Sequence, residues 1–432
     1  MRTRTHGRAA LSAAALTLTV TSFATTAVVT SSPAGADPDT LPLGDPDLAE
    51  TRSTEVLAEG VTLTHIVRGT EPAPPDQINT TTRGPWEVNV LTIDPRVADG
   101  HLEATYGPDL GQVERTTALT QMSGALAGVN ASFFTFTANP QFPGDPVGLG
   151  VFDGQLLSEP DADGNEADFV VSARSDRVEM GHLDWTGLIR NKQTEAELPL
   201  EFLNHPPVVP AGCGGLPDPT TCTRPGDIVR FTPEFGPSTP SGSGVEIVLD
   251  RNGCVVRTSR TTRGTSLEPG QSSLQATGRD SATLLDFVGD ACVKEQLRLL
   301  DEDGDQVAMR PGLFGVNGRY RLVADGQIVV PDGSGSFFDR NPRTIAGTTR
   351  DGQIILATID GRQSRSVGTT LDETAEVADA LGMYDAINLD GGGSTAMAVQ
   401  GQLVSHPSGS TERAVGDALV YVEGPDPVAE TA

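Results

Sequence analysis

Three Asp-Gly dipeptides, Asp153-Gly154, Asp325-Gly326 and Asp351-Gly352, each lie between short runs of alternating apolar residues. Asp-Gly supplies the two positive-φ positions of a type I′ hairpin turn, whose twist matches that of the strands it joins. A chain punctuated in this way folds largely by local strand pairing. The first turn is expected to join 148–152 to 155–157, and the third to join 344–349 to 353–359. Helical periodicity is scarce. Residues 371–381 carry it, with Thr370 and Glu373 as a capping box and Gly382 suited to the left-handed position past the end. A second helix is expected over 118–126. Each helix is followed by an apolar strand ending in polar residues, Gly128-Val129-Asn130-Ala131-Ser132 and Ala386-Ile387-Asn388-Leu389-Asp390. The pattern predicts an α+β fold of mixed and antiparallel sheets, rich in strands and poor in helices, interrupted by a β-rich, disulfide-bearing insertion.

The first residues read as an export signal over 1–36. Arg2, Arg4 and Arg8 precede an apolar stretch over 9–20, and Ala34-Gly35-Ala36 offers the small residues of a cleavage site. The expected product is a secreted chain with no stable membrane insertion after cleavage. Residues 37–58 are acidic and proline-bearing and read as a flexible leader, and 423–432 as a disordered tail. Between them, 59–186 and 312–422 read as two halves of one domain. The stretch 187–311 reads as the insertion, and it holds all four cysteines, Cys213, Cys222, Cys254 and Cys292. An oxidising destination makes two disulfides the default. Of three possible pairings, Cys213–Cys222 with Cys254–Cys292 closes the shortest loops. A zinc site is the alternative, but Cys-x-x-Cys is absent and only His205 lies nearby.

The formal charge is −28, and −31 once the three leader arginines are removed. Such a field excludes nucleic acid and anionic lipid as partners through bulk electrostatics. A local arginine cluster could still hold an anion. Lys192 and Lys294 are the only lysines, so nearly all positive charge is guanidinium, the group suited to bidentate phosphate contact. Beyond the leader the histidines are His65, His101, His182, His205 and His406, with no His-x-His, His-Asp or His-Glu-x-x-His. Binuclear metallophosphoesterases and histidine-nucleophile phosphodiesterases are thereby disfavoured, and no metal or cofactor is expected. Nothing in the sequence sets an oligomeric state.

The most distinctive stretch is Asn388-Leu389-Asp390-Gly391-Gly392-Gly393-Ser394-Thr395. A strand delivers Asp390 to its end, and three glycines let the backbone approach a ligand closely. Their N–H groups can form an anion nest, with the Ser394 and Thr395 hydroxyls beside it. A plain hairpin loop would need fewer glycines. Lysine is missing for a phosphate-binding Walker loop, and Ala396 stands where a nucleophile elbow needs glycine. Asn341-Pro342-Arg343-Thr344 opens another strand, Asp360-Gly361-Arg362 closes its partner, and Arg413 follows the glycine loop. Gly144-Asp145-Pro146-Val147-Gly148 is either a pocket wall or a turn before proline. The acidic runs 161–165 and 301–305 place glycine fourth rather than sixth, so they read as exposed turns, not calcium loops. His406 is as well explained by a plain loop as by a function.

Taken in order, these motifs resemble the phosphodiester glycosidase family over 59–186 and 312–422. Asp417 departs from the family pattern, standing where asparagine is common, and His406-Pro407 stands where asparagine is expected nearby. The resemblance implies a hydrolase that cuts the C1–O bond of a glycosyl-phosphate carbohydrate. The leaving phosphate monoester needs little protonation, so the second carboxylic acid of an ordinary glycosidase is less necessary. Asp390 is then the expected carboxylate facing the anomeric carbon, Asp360 the next candidate, and Arg343 the phosphate clamp. Asn130, Gly148, Thr344, Arg362, Asn388, Gly391, Gly392, Gly393, Ser394, Thr395 and Arg413 complete the expected substrate contacts. A non-catalytic glycan-binding protein and a metal-dependent phosphodiesterase cutting P–O are the competing classes.

Overall fold

The computed structural model describes residues 28–31, 40–162 and 164–424. The chain is strand-rich, with three α-helices among these residues, Thr116–Met122, Asp280–Val288 and Leu371–Ala380. A nine-stranded antiparallel sheet forms its centre. Its middle strands run Val61–Arg68, Trp86–Ile93, Ile354–Ile359, Arg343–Thr349 and Met383–Asn388, in that order. Ile354–Ile359 is buried along its whole length because both faces of the sheet are covered. That is why its sequence is a continuous apolar run rather than an alternation.

One face packs Val88, Ile345, Ile355 and Ala357 against Leu371, Ala375 and Ala378 of the third helix. The capping box is present, with Glu373 N–H donating to Thr370 Oγ1 and Thr370 N–H to Glu373 Oε2. The other face shares a core with a five-stranded sheet that contains Ala127–Asn130, Met397–Val399 and Ala418–Glu423. All three expected Asp-Gly hairpins form. Asp153 and Gly154, at φ 48° and 74°, and Asp325 and Gly326, at 52° and 71°, occupy the left-handed region that their turns require.

The strand Glu166–Ser172 pairs antiparallel with Leu313–Arg319, and Ser172 lies opposite Leu313. A third strand, Val178–Gly181, pairs with the other side of Glu166–Ser172, so the chain leaves this sheet at Gly181 and re-enters it at Leu313. Between those two points lie a three-stranded sheet and a third five-stranded sheet built from Ile228–Phe231, Val245–Leu249 and Ser272–Ala276 with two further strands. Asp184–Asn191 runs continuously through position 187 and pairs with Val293–Leu300. Leu149, Val151 and Val170 share one core with Ile247 and Leu274, so the intervening segment packs on the main body. The helix Asp280–Val288 lies outside the sequence expectations; only Ser281, Leu284 and Val288 of it are buried, too short a stripe to stand out as periodic.

The flexible leader expected over 37–58 is corrected for the part described. Leu41 and Leu43 are fully buried beside Trp86, and Glu50–Ala58 is a strand of the central sheet. Acidic composition misleads here because Glu50 turns inward: its carboxylate accepts from Leu41 N–H at 2.9 Å and pairs with Arg52 and Arg68. Of the expected signal peptide only Val28–Ser31 is described, as a strand paired with Glu50–Ala58; the rest lies outside the described residues, as does most of the tail.

Cys213 is bonded to Cys222 and Cys254 to Cys292, with no free thiol. Thiol titration of the denatured, unreduced protein is expected to find none, and reduction to lower stability by about 2–5 kcal/mol in denaturant melts. Two reactive thiols before reduction would contradict this pairing.

Candidate functional site

The two strand-end motifs meet in space. Ala127–Asn130 and Met383–Asn388 belong to different sheets, yet Asp390 N–H donates to Ala131 C=O at 2.9 Å. Asn130 is fully buried at this junction. Its Nδ2 donates to Asp390 C=O at 2.6 Å, and its Oδ1 accepts from Thr344 Oγ1 at 2.8 Å and Ala396 N–H at 3.0 Å. Asn130 and Thr344, expected as substrate contacts, bond each other and the backbone here and are not among the residues that line the adjacent cavity. Their polar atoms are given to the protein, and together they fix the start and end of the glycine loop.

A cavity of about 230 Å³ opens beside this junction, lined by Arg343, Arg362, Asn388, Asp390, Gly391 and Gly392 among others. Asn388 is buried, and neither end of its amide has a hydrogen-bond partner. A buried amide left unpaired on both ends costs free energy unless a ligand satisfies it. Asp390 accepts from Gly391 N–H at 2.9 Å. Burial pushes its carboxyl up to about 6, opposed by the Ser394 hydroxyl, the Gly391 N–H and Arg413.

Three arginines surround the loop, and neutral groups hold each of them. Arg343 is buried and donates to the carbonyls of Thr369, Phe337 and Asp339 at 3.3, 2.7 and 3.0 Å. Arg362 donates to Asn341 Oδ1 at 2.6 Å. Arg413 donates to Ser394 Oγ at 3.3 Å and lies 4.6 Å from the centre of the Phe136 ring. Among the described residues none of the three has a carboxylate within 4.0 Å, whereas Arg321, Arg340 and Arg365 are paired with Asp385, Glu373 and Glu87. Burial and the nearby Arg362 bring Arg343 down to about 10. A buried guanidinium, Arg343, and an exposed one, Arg362, neither paired with a carboxylate, line one cavity and suit an anion there.

Several expected contacts take other places. Gly391 N–H goes to Asp390, Gly392 N–H to Pro342 C=O and Ser394 N–H to Gly391 C=O, so most of the expected nest is consumed in shaping the loop. The glycines serve close packing instead: a Cβ on Gly391 would lie 2.8 Å from Pro342 C=O, and one on Gly393 would overlap the Arg413 guanidinium. Gly148 packs against Glu166, where a Cβ would clash, and does not line the cavity. Thr395 Oγ1 is buried and unpaired, away from the lining. Asp360 faces His406 rather than the cavity, with Oδ2 accepting from His406 N–H at 2.9 Å. Asp145 is buried against His205 at 2.8 Å. The sequence reading missed Phe133, Ser336, Phe337 and Asn341 as lining residues. Asn341 was legible as part of Asn-Pro-Arg-Thr; the two phenylalanines lie 6.1 Å apart on segments some 200 positions distant, which no local pattern links.

Asp417 lies behind the site, 1% exposed, accepting from Ser132 N–H at 2.7 Å and Ser132 Oγ at 2.6 Å. Burial pushes it up to about 6 against those two bonds. The folded state therefore keeps a proton that the unfolded chain loses near pH 4. Stability is greatest below that value and falls as pH rises to about 6. Asp417→Asn removes this loss, while the Ser132 hydroxyl can rotate to accept from the new amide. Urea melts at about pH 4.5 and about pH 7 should show the variant gaining about 1–3 kcal/mol on wild type between the two. An equal difference at both would show that Asp417 titrates normally.

Residues 243–422 match the phosphodiester glycosidase family, a span that starts inside the cysteine-bearing segment and takes in Arg343, Asp390 and Arg413. An uncharacterized SPbeta prophage-derived protein of Bacillus subtilis (strain 168) is 39% identical over 80 residues, 18% of this chain and 12% of that protein. The N-acetylglucosamine-1-phosphodiester alpha-N-acetylglucosaminidase of Mus musculus is 46% identical over 66 residues, 15% of this chain and 13% of that enzyme. The matched stretches thus span about an eighth of these relatives' length. In three dimensions a Burkholderia pseudomallei K96243 protein described as exported aligns at TM-score 0.73 and 27% identity, covering 89% of this chain and 98% of its own. Over residues 243–422, the part that holds the glycine loop and its three arginines, this chain is similar to the phosphodiester glycosidase family.

Proposed function

We propose that the protein is a secreted hydrolase that cleaves the C1–O bond of a sugar 1-phosphodiester, such as a glycosyl phosphate of a cell wall or exopolysaccharide. The observation that carries this reading is one cavity lined by Arg343 and Arg362, each held by neutral groups, with Asp390 and the unpaired Asn388 amide in its wall and Arg413 packed against Gly393 of the glycine loop outside that lining. The arginines bind the phosphate and stabilise the charge it gains as the C1–O electron pair leaves with it. Asp390 faces the anomeric carbon, where positive charge grows. Water supplies the oxygen that C1 acquires, and Asp390 takes up its proton. Asn388 bonds a sugar hydroxyl, and Phe133 and Phe337 cover the apolar face of the ring. The likeness to a family that includes N-acetylglucosamine-1-phosphodiester alpha-N-acetylglucosaminidases supports the substrate class. Two disulfides, the leader pattern and a structural relative described as exported support secretion. The return of the chain at Leu313 to the same sheet that it leaves at Gly181 supports the intervening segment as an insertion in the domain.

A panel of hexose and N-acetylhexosamine 1-phosphodiesters, hydrolysed in oxygen-18 water, tests which bond breaks. The phosphate product should carry no heavy oxygen. Label in that phosphate would mean attack at phosphorus, and binding of the whole panel without turnover would mean a glycan-binding protein.

Asp390→Asn is expected to lower kcat by about 10²–10³ with phosphate binding retained, and Arg343→Ala to weaken both. Since Asp390 acts ionised, kcat/KM should fall as pH drops below about 6. Near wild-type turnover by Asp390→Asn, or a flat profile through pH 6, would remove Asp390 from this role.

A further inference from the structure

A second cluster of ligand-type atoms lies outside the cavity. Glu87 on the strand Trp86–Ile93, Asp360 just past Ile354–Ile359, and His406 on the loop leading to Arg413 each place one such atom within 4.8 Å of the others. Both carboxylates are buried, Asp360 to 1% and Glu87 to 7% exposure. One oxygen of each, Asp360 Oδ1 and Glu87 Oε2, has no hydrogen-bond partner. His406 Nδ1 stands 3.0 Å from Asp360 Oδ2 and 3.2 Å from Glu87 Oε2. One N–H cannot satisfy both, and Asp360 Oδ2 already accepts the His406 backbone N–H. Those spacings do suit ligands on one ion: with bonds of about 2.0–2.1 Å, tetrahedral neighbours stand about 3.3 Å apart.

We infer that Glu87, Asp360 and His406 bind a divalent transition ion, zinc by preference, as a site separate from the arginine-lined cavity. One imidazole and two carboxylates suit zinc or a neighbouring first-row ion, whereas calcium takes oxygen ligands. Arg365 bonds the other oxygen of Glu87 at 3.0 Å, which orients that carboxylate from behind and balances its charge. The ion ties the loop beyond Val404 to the central sheet. That loop ends in Arg413, so the site sets the position of one phosphate-binding arginine without touching substrate.

The experiment is calorimetric titration of the chelator-dialysed full chain with zinc chloride near neutral pH. Wild type should bind one equivalent with micromolar or tighter affinity. His406→Gln and Glu87→Gln should each weaken binding at least tenfold, and His205→Gln, at the unrelated Asp145 pair, should leave it unchanged. Cobalt(II) absorption of wild type and His406→Gln gives a second readout, and circular dichroism confirms that each variant is folded. Absence of stoichiometric binding by wild type, or equal affinity in folded His406→Gln, would overturn the site and leave the trio as a proton-bridged clamp.

Discussion

The site depends on one buried amide. Asn130 joins two sheets that share no strand, and through Asp390 C=O, Ala396 N–H and Thr344 Oγ1 it fixes both ends of the glycine loop and the start of the Arg343 strand. A buried hydrogen bond contributes about 1 kcal/mol net, but leaving its partners unpaired costs considerably more. Asn130 has three such partners on three segments. Aspartate at this position could accept from Thr344 and Ala396 but would set a charge against the Asp390 carbonyl. Leucine would orphan every partner. The amide is the one group of this size that donates to a carbonyl and accepts from an N–H and a hydroxyl at once.

Given that junction, the rest of the site follows from strand geometry. Arg343 pairs across the sheet with Ile359, and Ile345 with Asn388, so one edge of the central sheet gathers Arg343, Arg362 and Asp390. Antiparallel pairing brings the beginning of one strand beside the ends of its neighbours. Residues 19–47 positions apart in sequence therefore become adjacent without any long connection.

This explains what was legible beforehand. Asp-Gly turns and the Thr370–Glu373 box act through near neighbours in sequence, so the hairpins and the third helix could be read directly. The glycine loop and its arginines were legible as chemistry because three glycines after Asp390 exceed what a plain turn needs and arginines stand in the neighbouring motifs. The division of labour was not. Asn130 and Asn388 look equivalent as strand-end asparagines, and only the partners around each separate a clamp from an open amide. Asp360 and Asp390 look equivalent too, and the one is turned to His406 by contacts across 46 positions. Glu50 misled for the same reason: its inward turn depends on Arg68, which no local pattern couples to it.

The way the arginines are held bears on catalysis itself. A carboxylate partner would position a guanidinium well but would cancel the charge needed by a leaving phosphate. Carbonyl, amide, hydroxyl and aromatic partners position it and leave its charge intact. The protein uses both arrangements within one edge: Arg365 is neutralised by Glu87, while Arg343, Arg362 and Arg413 are not. Holding three cations together is unfavourable, and burial adds a desolvation cost at Arg343. A phosphodiester carries one negative charge, and the monoester that leaves carries up to two. In the proposed reaction the repulsion among the arginines would therefore be relieved more fully as C1–O breaks than when substrate first binds. Interactions that strengthen along the reaction accelerate it, whereas those made equally at both points do not. On the proposed reading, an arginine cluster held by neutral groups, with Asp390 as the one carboxylate in the cavity wall, serves the bond-breaking step.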